Sequence, residues 1–306
     1  YGTLVLFLSY TAQFFEPVRE LARILAELQA AQASAERIMS MIETEPEIND
    51  SKEVIEKYGD IFNPIKDNWP KLEGNVSFSN VSFLYKDGEK VLEKFNLDVK
   101  SGETIALVGE TGSGKSTIVN LVCRFYEPTE GKILIDGVDY KERSLGWLHS
   151  NLGYVLQSPH LFSGTIKDNI RYGKLEASEM DIIRAAKLVN AHNFITSLEN
   201  GYDTEVGEGG GKLSTGEKQL ISFARAIVAN PSIFVLDEAT SSIDTETEKI
   251  IQDAIEKVLE GRTSFIIAHR LSTIVSANRI LVMKKGKIIE EGNHKQLLEK
   301  KGYYYR

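Results

Sequence analysis

The hydrophobic rhythm of this chain changes twice, and the changes divide it. In residues 4–45, apolar residues at Val18, Leu21, Ile24, Leu25, Leu28, Ala35, Ile38 and Ile42 recur at i, i+3 and i+4 spacing. That spacing predicts an amphipathic helix with one face to bury. Pro17 is its one strong breaker. Some 40 residues of helix would reach about 60 Å, too long for one compact domain, so the segment is expected to project or to bridge. Its mostly apolar start, residues 4–15, is shorter than the roughly 20 residues that span a bilayer. A core or bundle helix and the remaining end of a membrane helix both fit.

Residues 45–74 carry Pro46, Pro64 and Pro70, mixed charges and no sustained period, which marks a linker and a domain boundary. A two-residue alternation follows. Val76, Phe78, Val81, Phe83 and Tyr85 predict a strand with an irregularity near Asn80; Asp87-Gly88 predicts a turn, and Phe95, Leu97 and Val99 predict a second strand. Further on, short apolar runs at residues 104–108, 132–135, 233–236, 264–268 and 279–283 are separated by helical patterns, one opening on Ser178-x-x-Asp181. Strands alternating with helices predict an α/β domain with a largely parallel sheet, whose strand C-termini form the ligand crevice.

At 306 residues the chain has room for about two domains. A net charge of −8 argues against a nucleic-acid surface, which needs a concentrated basic face. The lone Cys123 excludes an internal disulfide framework, and the five histidines include no pair at metal-ligand spacing. The N-terminal stretch has neither a basic region nor a small-residue cleavage site, so it does not read as a signal peptide.

The chemistry centres on Gly109-Glu110-Thr111-Gly112-Ser113-Gly114-Lys115-Ser116-Thr117, which has the G-x-x-x-x-G-K-S spacing of a phosphate-binding loop. A buried strand precedes it and a helix follows, so glycine-flanked backbone N–H groups and the helix N-terminus can wrap an anion. Lys115 then reaches the β- and γ-phosphates and the Ser116 hydroxyl takes a place on Mg²⁺. Asp237 ends an apolar strand, where it can hold Mg²⁺ through water, and Glu238 beside it can position or deprotonate an attacking water. A second anion site is offered by Ser214 and Gly216 at the start of a helical pattern, although taken in isolation the motif reads better as a helix cap with no ligand. Gln157 and His269 carry little signal singly.

Taken in order, Tyr85, residues 109–117, Gln157, residues 213–217, residues 233–238, residues 241–244 and His269 resemble the nucleotide-binding domain of an ABC transporter. They stand where that family has its adenine-stacking aromatic, Walker A motif, Q-loop, signature, Walker B motif, D-loop and switch histidine. Residues 204–208 are similar to the X-loop of exporters. Phe15-x-Pro17 and Ala33-Ser-Ala-Glu-Arg-Ile38 resemble the cytoplasmic extension of an exporter's last transmembrane helix.

The resemblance implies a P-loop ABC ATPase domain with a RecA-like parallel-sheet core, an antiparallel β subdomain and a helical subdomain, preceded by a long helix. It implies a membrane-helix end and extension at 1–45, a linker at 46–71 and the nucleotide-binding domain at 72–306. ATP and Mg²⁺ are the implied cofactors. Tyr85 would stack on adenine, and Gly109, Glu110, Thr111, Gly112, Ser113, Gly114, Lys115, Ser116 and Thr117 would cradle the phosphates. Gln157 would sense the metal and γ-phosphate, Glu238 would act on water, and His269 would contact the γ-phosphate. Ser214 and Gly216 would complete the site of a second nucleotide-binding domain, identical or not. The implied place is the cytoplasmic face of a membrane, joined to a membrane-spanning domain. A soluble ABC-type ATPase in repair or translation is the alternative, disfavoured by the long helix and the acidic balance. A GTPase is disfavoured further because no Asn-Lys-x-Asp run exists. The family's usual signature is Leu-Ser-Gly-Gly-Gln; here positions 215 and 217 are Thr and Glu, and Glu217 is expected to bring negative charge near a phosphate.

Overall fold

The computed structural model describes residues 1–86, 88–237, 245–268 and 270–305. It divides into two compact units, Tyr1–Asn49 and Asp50–Arg306. The first is built on helix α1 (Gly2–Glu43), with Pro17 inside it and no buried residue. Thr44, extended before the Glu45-Pro46 pair, ends the helix. Leu4, Val5, Leu6, Phe7 and Leu8 are all exposed, an apolar surface that α1 has no means of covering itself. Among the described residues no helix is long and apolar enough to cross a membrane.

In the second unit, residues 50–71 are more ordered than their prolines suggest. Helix α2 (Lys52–Tyr58) is capped by Ser51 and buries Val54 and Tyr58. Arg143 donates to the Tyr58 hydroxyl at 2.6 Å, and Trp147 Nε1 donates to the Pro70 carbonyl at 2.7 Å. These partners lie more than 70 residues away, so no local period announces them.

Strands β1 (Val76–Leu84), β2 (Lys90–Val99), β4 (Glu130–Ile135) and β5 (Val138–Asp139) form an antiparallel sheet in the order β2-β1-β4-β5. The irregularity foreseen near Asn80 is a register shift between Phe78 and Val81, with Asn80 at φ +50°. A six-stranded sheet is built from β3 (Thr104–Gly109), β6 (Leu152–Val155), β7 (Ile233–Asp237), β8 (Thr263–Ile267), β9 (Arg279–Lys284) and β10 (Lys287–Gly292). Its order is β10-β9-β3-β8-β7-β6, parallel throughout except for the edge strand β10.

Successive residues of the central strands enter opposite cores. Ala106, Phe234, Leu236, Ile266 and Ile280 pack on one face, and Ile105, Leu107, Val235, Phe265 and Leu281 on the other. A sheet covered on both faces demands such continuous apolar runs. The second face is covered by the antiparallel sheet with α3 (Lys115–Val122) and α4 (Leu145–Ser150). The first is covered by α5 (Ile166–Arg171), α6 (Glu179–Leu188), α7 (His192–Ser197), α8 (Thr215–Ile227) and α9 (Thr245–Leu259). Ser178 and Asp181 form the expected capping box of α6. Helices α10 (Leu271–Ser276) and α11 (His294–Lys300) complete the unit.

Candidate functional site

The loop between β3 and α3 owes its shape to its glycines. Gly109, Gly112 and Gly114 have φ of +153°, +79° and +100°, in the region that side chains rarely adopt. At Gly109 space adds a second demand, since a Cβ there would stand 2.3 Å from the Met283 carbonyl on β9. Gly114 precedes the first turn of α3, and no side chain caps that turn. Among the described residues no side chain accepts from the first N–H groups of α3, the arrangement that binds anions at a helix start.

Lys115 is buried with its ammonium folded over the loop, donating to the carbonyls of Gly109 at 2.7 Å and Glu110 at 2.8 Å. Burial pulls its pKa below the usual lysine range, and the Asp237 carboxylate opposes that shift. The Ser113 carbonyl accepts from Gly286 N–H, which ties the loop to the turn between β9 and β10.

A cleft of about 420 Å³ opens beside this loop. Tyr85, Thr111, Gly112, Gly114, Lys115, Ser116, Thr117, Gln157 and Asp237 line it, with Glu89, Val91 and Ile267. Parallel pairing sets Asp237 level with Ile267 at the C-terminal ends of β7 and β8, the edge where α/β sheets take ligands. Tyr85 is half-buried and packs edge-on against Phe83 and Tyr126, with ring centroids 4.9 and 5.4 Å away. Its hydroxyl lies 3.1 Å from Thr117 Oγ1, so the Thr117 side chain is engaged with Tyr85 and its backbone N–H is the group left for phosphate. Gln157 is exposed at the cleft, two residues beyond β6.

A triphosphate with a hard divalent cation fits this donor set. The glycines keep side chains out of the cradle, Lys115 supplies positive charge, and Ser116 and Asp237 supply the oxygen ligands that Mg²⁺ prefers. Among the described residues no three His, Cys, Asp or Glu cluster to hold a metal alone, so such an ion would depend on phosphate oxygens as well. The expected catalytic groups Glu238 and His269, and the D-loop at 241–244, lie outside the described residues.

Ser214 and Gly216 are not among the residues lining this cleft. Ser214 caps α8 in a reciprocal pair with Glu217: its N–H donates to Glu217 Oε2 at 2.8 Å, and Glu217 N–H donates to its Oγ at 3.3 Å. The carboxylate expected to trouble a phosphate is thus turned back onto the backbone of its own helix start. Gly216 is buried, and a Cβ there would stand 2.3 Å from Thr247 Cγ2. That glycine serves the packing of α8 on α9, whatever else it approaches.

Gly216→Ala is accordingly expected to lower unfolding free energy by about 1 kcal/mol, because crowding of about 1–3 kcal/mol outweighs the gain in helix propensity of about 1 kcal/mol. Adding Thr247→Ser removes the offending methyl and should restore it. Thermal unfolding of the three proteins checks this; a single variant as stable as the parent would rule out the packing role.

Comparison with known proteins agrees with the fold. Residues 92–241 match the family model described as ABC transporter. The chain is 45% identical over 305 residues to an ATP-dependent lipid A-core flippase of Syntrophus aciditrophicus, covering 100% of this chain and 49% of that protein. It is also 45% identical over 305 residues to a fatty acid ABC transporter ATP-binding/permease protein of Mycobacterium bovis, covering 100% of this chain and 46% of that one. A solved structure of a bacterial Atm1-family ABC exporter with ATP bound superposes with a TM-score of 0.77 at 39% identity, over 99% of this chain and 51% of that one. The chain thus carries an ABC transporter domain at residues 92–241. It spans about half the length of these relatives.

Proposed function

We propose that this chain is the ATP-binding and ATP-hydrolysing motor of an ABC exporter, at the cytoplasmic face of a membrane and coupled to a membrane-spanning domain. The observation that carries the reading is the single cleft in which the glycine loop, Lys115, Ser116, Gln157 and Asp237 converge. Lys115 exchanges its loop carbonyls for the β- and γ-phosphates, while Ser116 and, through water, Asp237 hold Mg²⁺. Tyr85 offers its ring to adenine. Glu238 orients the attacking water, and His269 and Gln157 contact the γ-phosphate and its metal. Residues 1–45 are the end of the last transmembrane helix with its extension, which accounts for an apolar helix start that buries nothing.

The exposed Ser214 at the start of α8, away from the cleft, supports a site completed by a second nucleotide-binding domain. Differential nucleotide contacts between closed and open pairs would then drive the attached helices.

Glu238→Gln tests the reading. ATPase activity is expected to fall at least about tenfold, and size-exclusion with light scattering should show a dimer in Mg-ATP and a monomer without it. A smaller loss would overturn the role of Glu238. A persistent monomer that still binds ATP would point to a different partner subunit or to a requirement for the membrane domain.

A further inference from the structure

The segment after α11 returns to the phosphate-binding loop. Glu290 on β10 accepts two backbone N–H groups, from Tyr303 at 2.5 Å and Tyr304 at 3.0 Å. Those bonds hold its carboxyl below the usual range. Gly302 makes the approach possible, since a Cβ there would stand 1.8 Å from Glu290 Oε1. So anchored, Tyr303 lies under the Lys284 ammonium, 4.9 Å from its ring centroid, and its hydroxyl donates to Glu110 Oε1 at 2.5 Å.

Glu110 is a charged residue inside the loop itself. Its carbonyl accepts from Lys115 Nζ and, at 3.2 Å, from Ser113 N–H. Its side chain is exposed and Glu110 is not among the residues lining the cleft. An untethered carboxylate on this loop would compete with phosphate for Lys115 and repel a bound triphosphate.

We propose that Tyr303 is a positioning residue for the phosphate-binding loop, holding the Glu110 carboxylate on the loop's outer flank so that its charge stays away from the cleft. The proposal rests on ATP being the ligand of this site. It gives the tyrosine a role that depends on one hydroxyl and one charge, not on the packing of the ring.

The experiment is a double-mutant cycle in the 306-residue chain with Tyr303→Phe and Glu110→Gln, read by titration of Mg-ATP. Tyr303→Phe keeps the ring, the Lys284 contact and both bonds to Glu290. It should raise the Kd for Mg-ATP about fivefold, the factor expected when a unit charge comes within contact range in water-like surroundings, and the effect should shrink at high salt. The apparent KM should rise in step, with kcat changed less than about twofold, because the perturbation acts on binding. In the Glu110→Gln background, Tyr303→Phe should have no further effect.

Unchanged affinity in Tyr303→Phe would overturn the proposal, as would an equal loss in both backgrounds, which is the signature of a merely structural tyrosine. The same cycle followed by thermal unfolding reads the Tyr303–Glu110 coupling without nucleotide. An additive cycle there would overturn the tether itself, whereas failure of the parent chain to bind Mg-ATP would overturn the ATPase reading instead.

Discussion

Lys115→Ala is expected to lower ATP hydrolysis by about 100-fold or more and to weaken Mg-ATP binding comparably. Preorganised positive charge aimed at developing phosphate charge is worth about two to three orders of magnitude in rate. Lys115 is positioned to supply it, since its ammonium is buried at the cleft, within the field of Asp237, and among the described residues is held by loop carbonyls and the Ser113 hydroxyl. Those contacts can be exchanged for phosphate oxygens without moving a strand or helix.

Stability should respond differently. Burial already disfavours the ammonium, so its removal relieves desolvation, and the Glu110 carbonyl keeps its bond from Ser113 N–H. ATPase assays, an Mg-ATP titration and thermal unfolding together separate the two effects. A variant that keeps more than about a tenth of the parent's rate would remove Lys115 from the phosphate site, given the size of such charge effects.

The legible parts of this protein are those whose constraints are local in sequence. Three glycines at fixed offsets need positive φ, and β3 and α3 on either side announce themselves by runs of Ile, Ala, Leu and Val. The capping box of α6 and the register shift at Asn80 are likewise settled within a few residues. Glu217 was legible only in type. Its charge suggested interference with a phosphate, whereas Ser-x-x-Glu supports a capping box as readily as Ser-x-x-Gln does and the geometry realises it. Gly216 is fixed by a methyl on another helix, Thr247, and Tyr303 meets Glu110 across 193 positions. Neither constraint leaves a period or spacing to read. Residues 50–71 looked like linker because Asp50, Tyr58 and Pro70 find their partners in residues 124–147.

Arg124→Ala should cost about 3–5 kcal/mol of unfolding free energy, the range for removing one partner from a buried ion pair. The Arg124 side chain is 2% exposed. Its Nε donates to Glu127 at 2.9 Å, and its Nη1 donates to Asp50 and to the Arg143 carbonyl, both at 3.1 Å. Asp50 also accepts the Leu145 N–H at 3.1 and 3.0 Å, so the guanidinium joins the start of the second unit to the end of the helix that carries the phosphate-binding loop.

The backbone says how much that side chain is needed. Arg124 N–H bonds to the Leu121 carbonyl and Phe125 N–H to the Asn120 carbonyl, the helix ending in which the residue at φ +53° is usually glycine. Holding an arginine in that conformation costs about 1–2 kcal/mol. Arg124→Gly should therefore be less damaging than Arg124→Ala by about that amount while remaining less stable than the parent. Lysine, with one ammonium in place of a fork of donors, cannot reproduce the guanidinium's bonds to Glu127, Asp50 and the Arg143 carbonyl and should rescue little. Denaturant unfolding of the three variants checks the order: parent above glycine, glycine above alanine. A loss under about 1 kcal/mol for alanine would mean that these charges behave as a solvated surface pair, and Asp50 would then be anchored chiefly by its bonds from Leu145 at the start of α4.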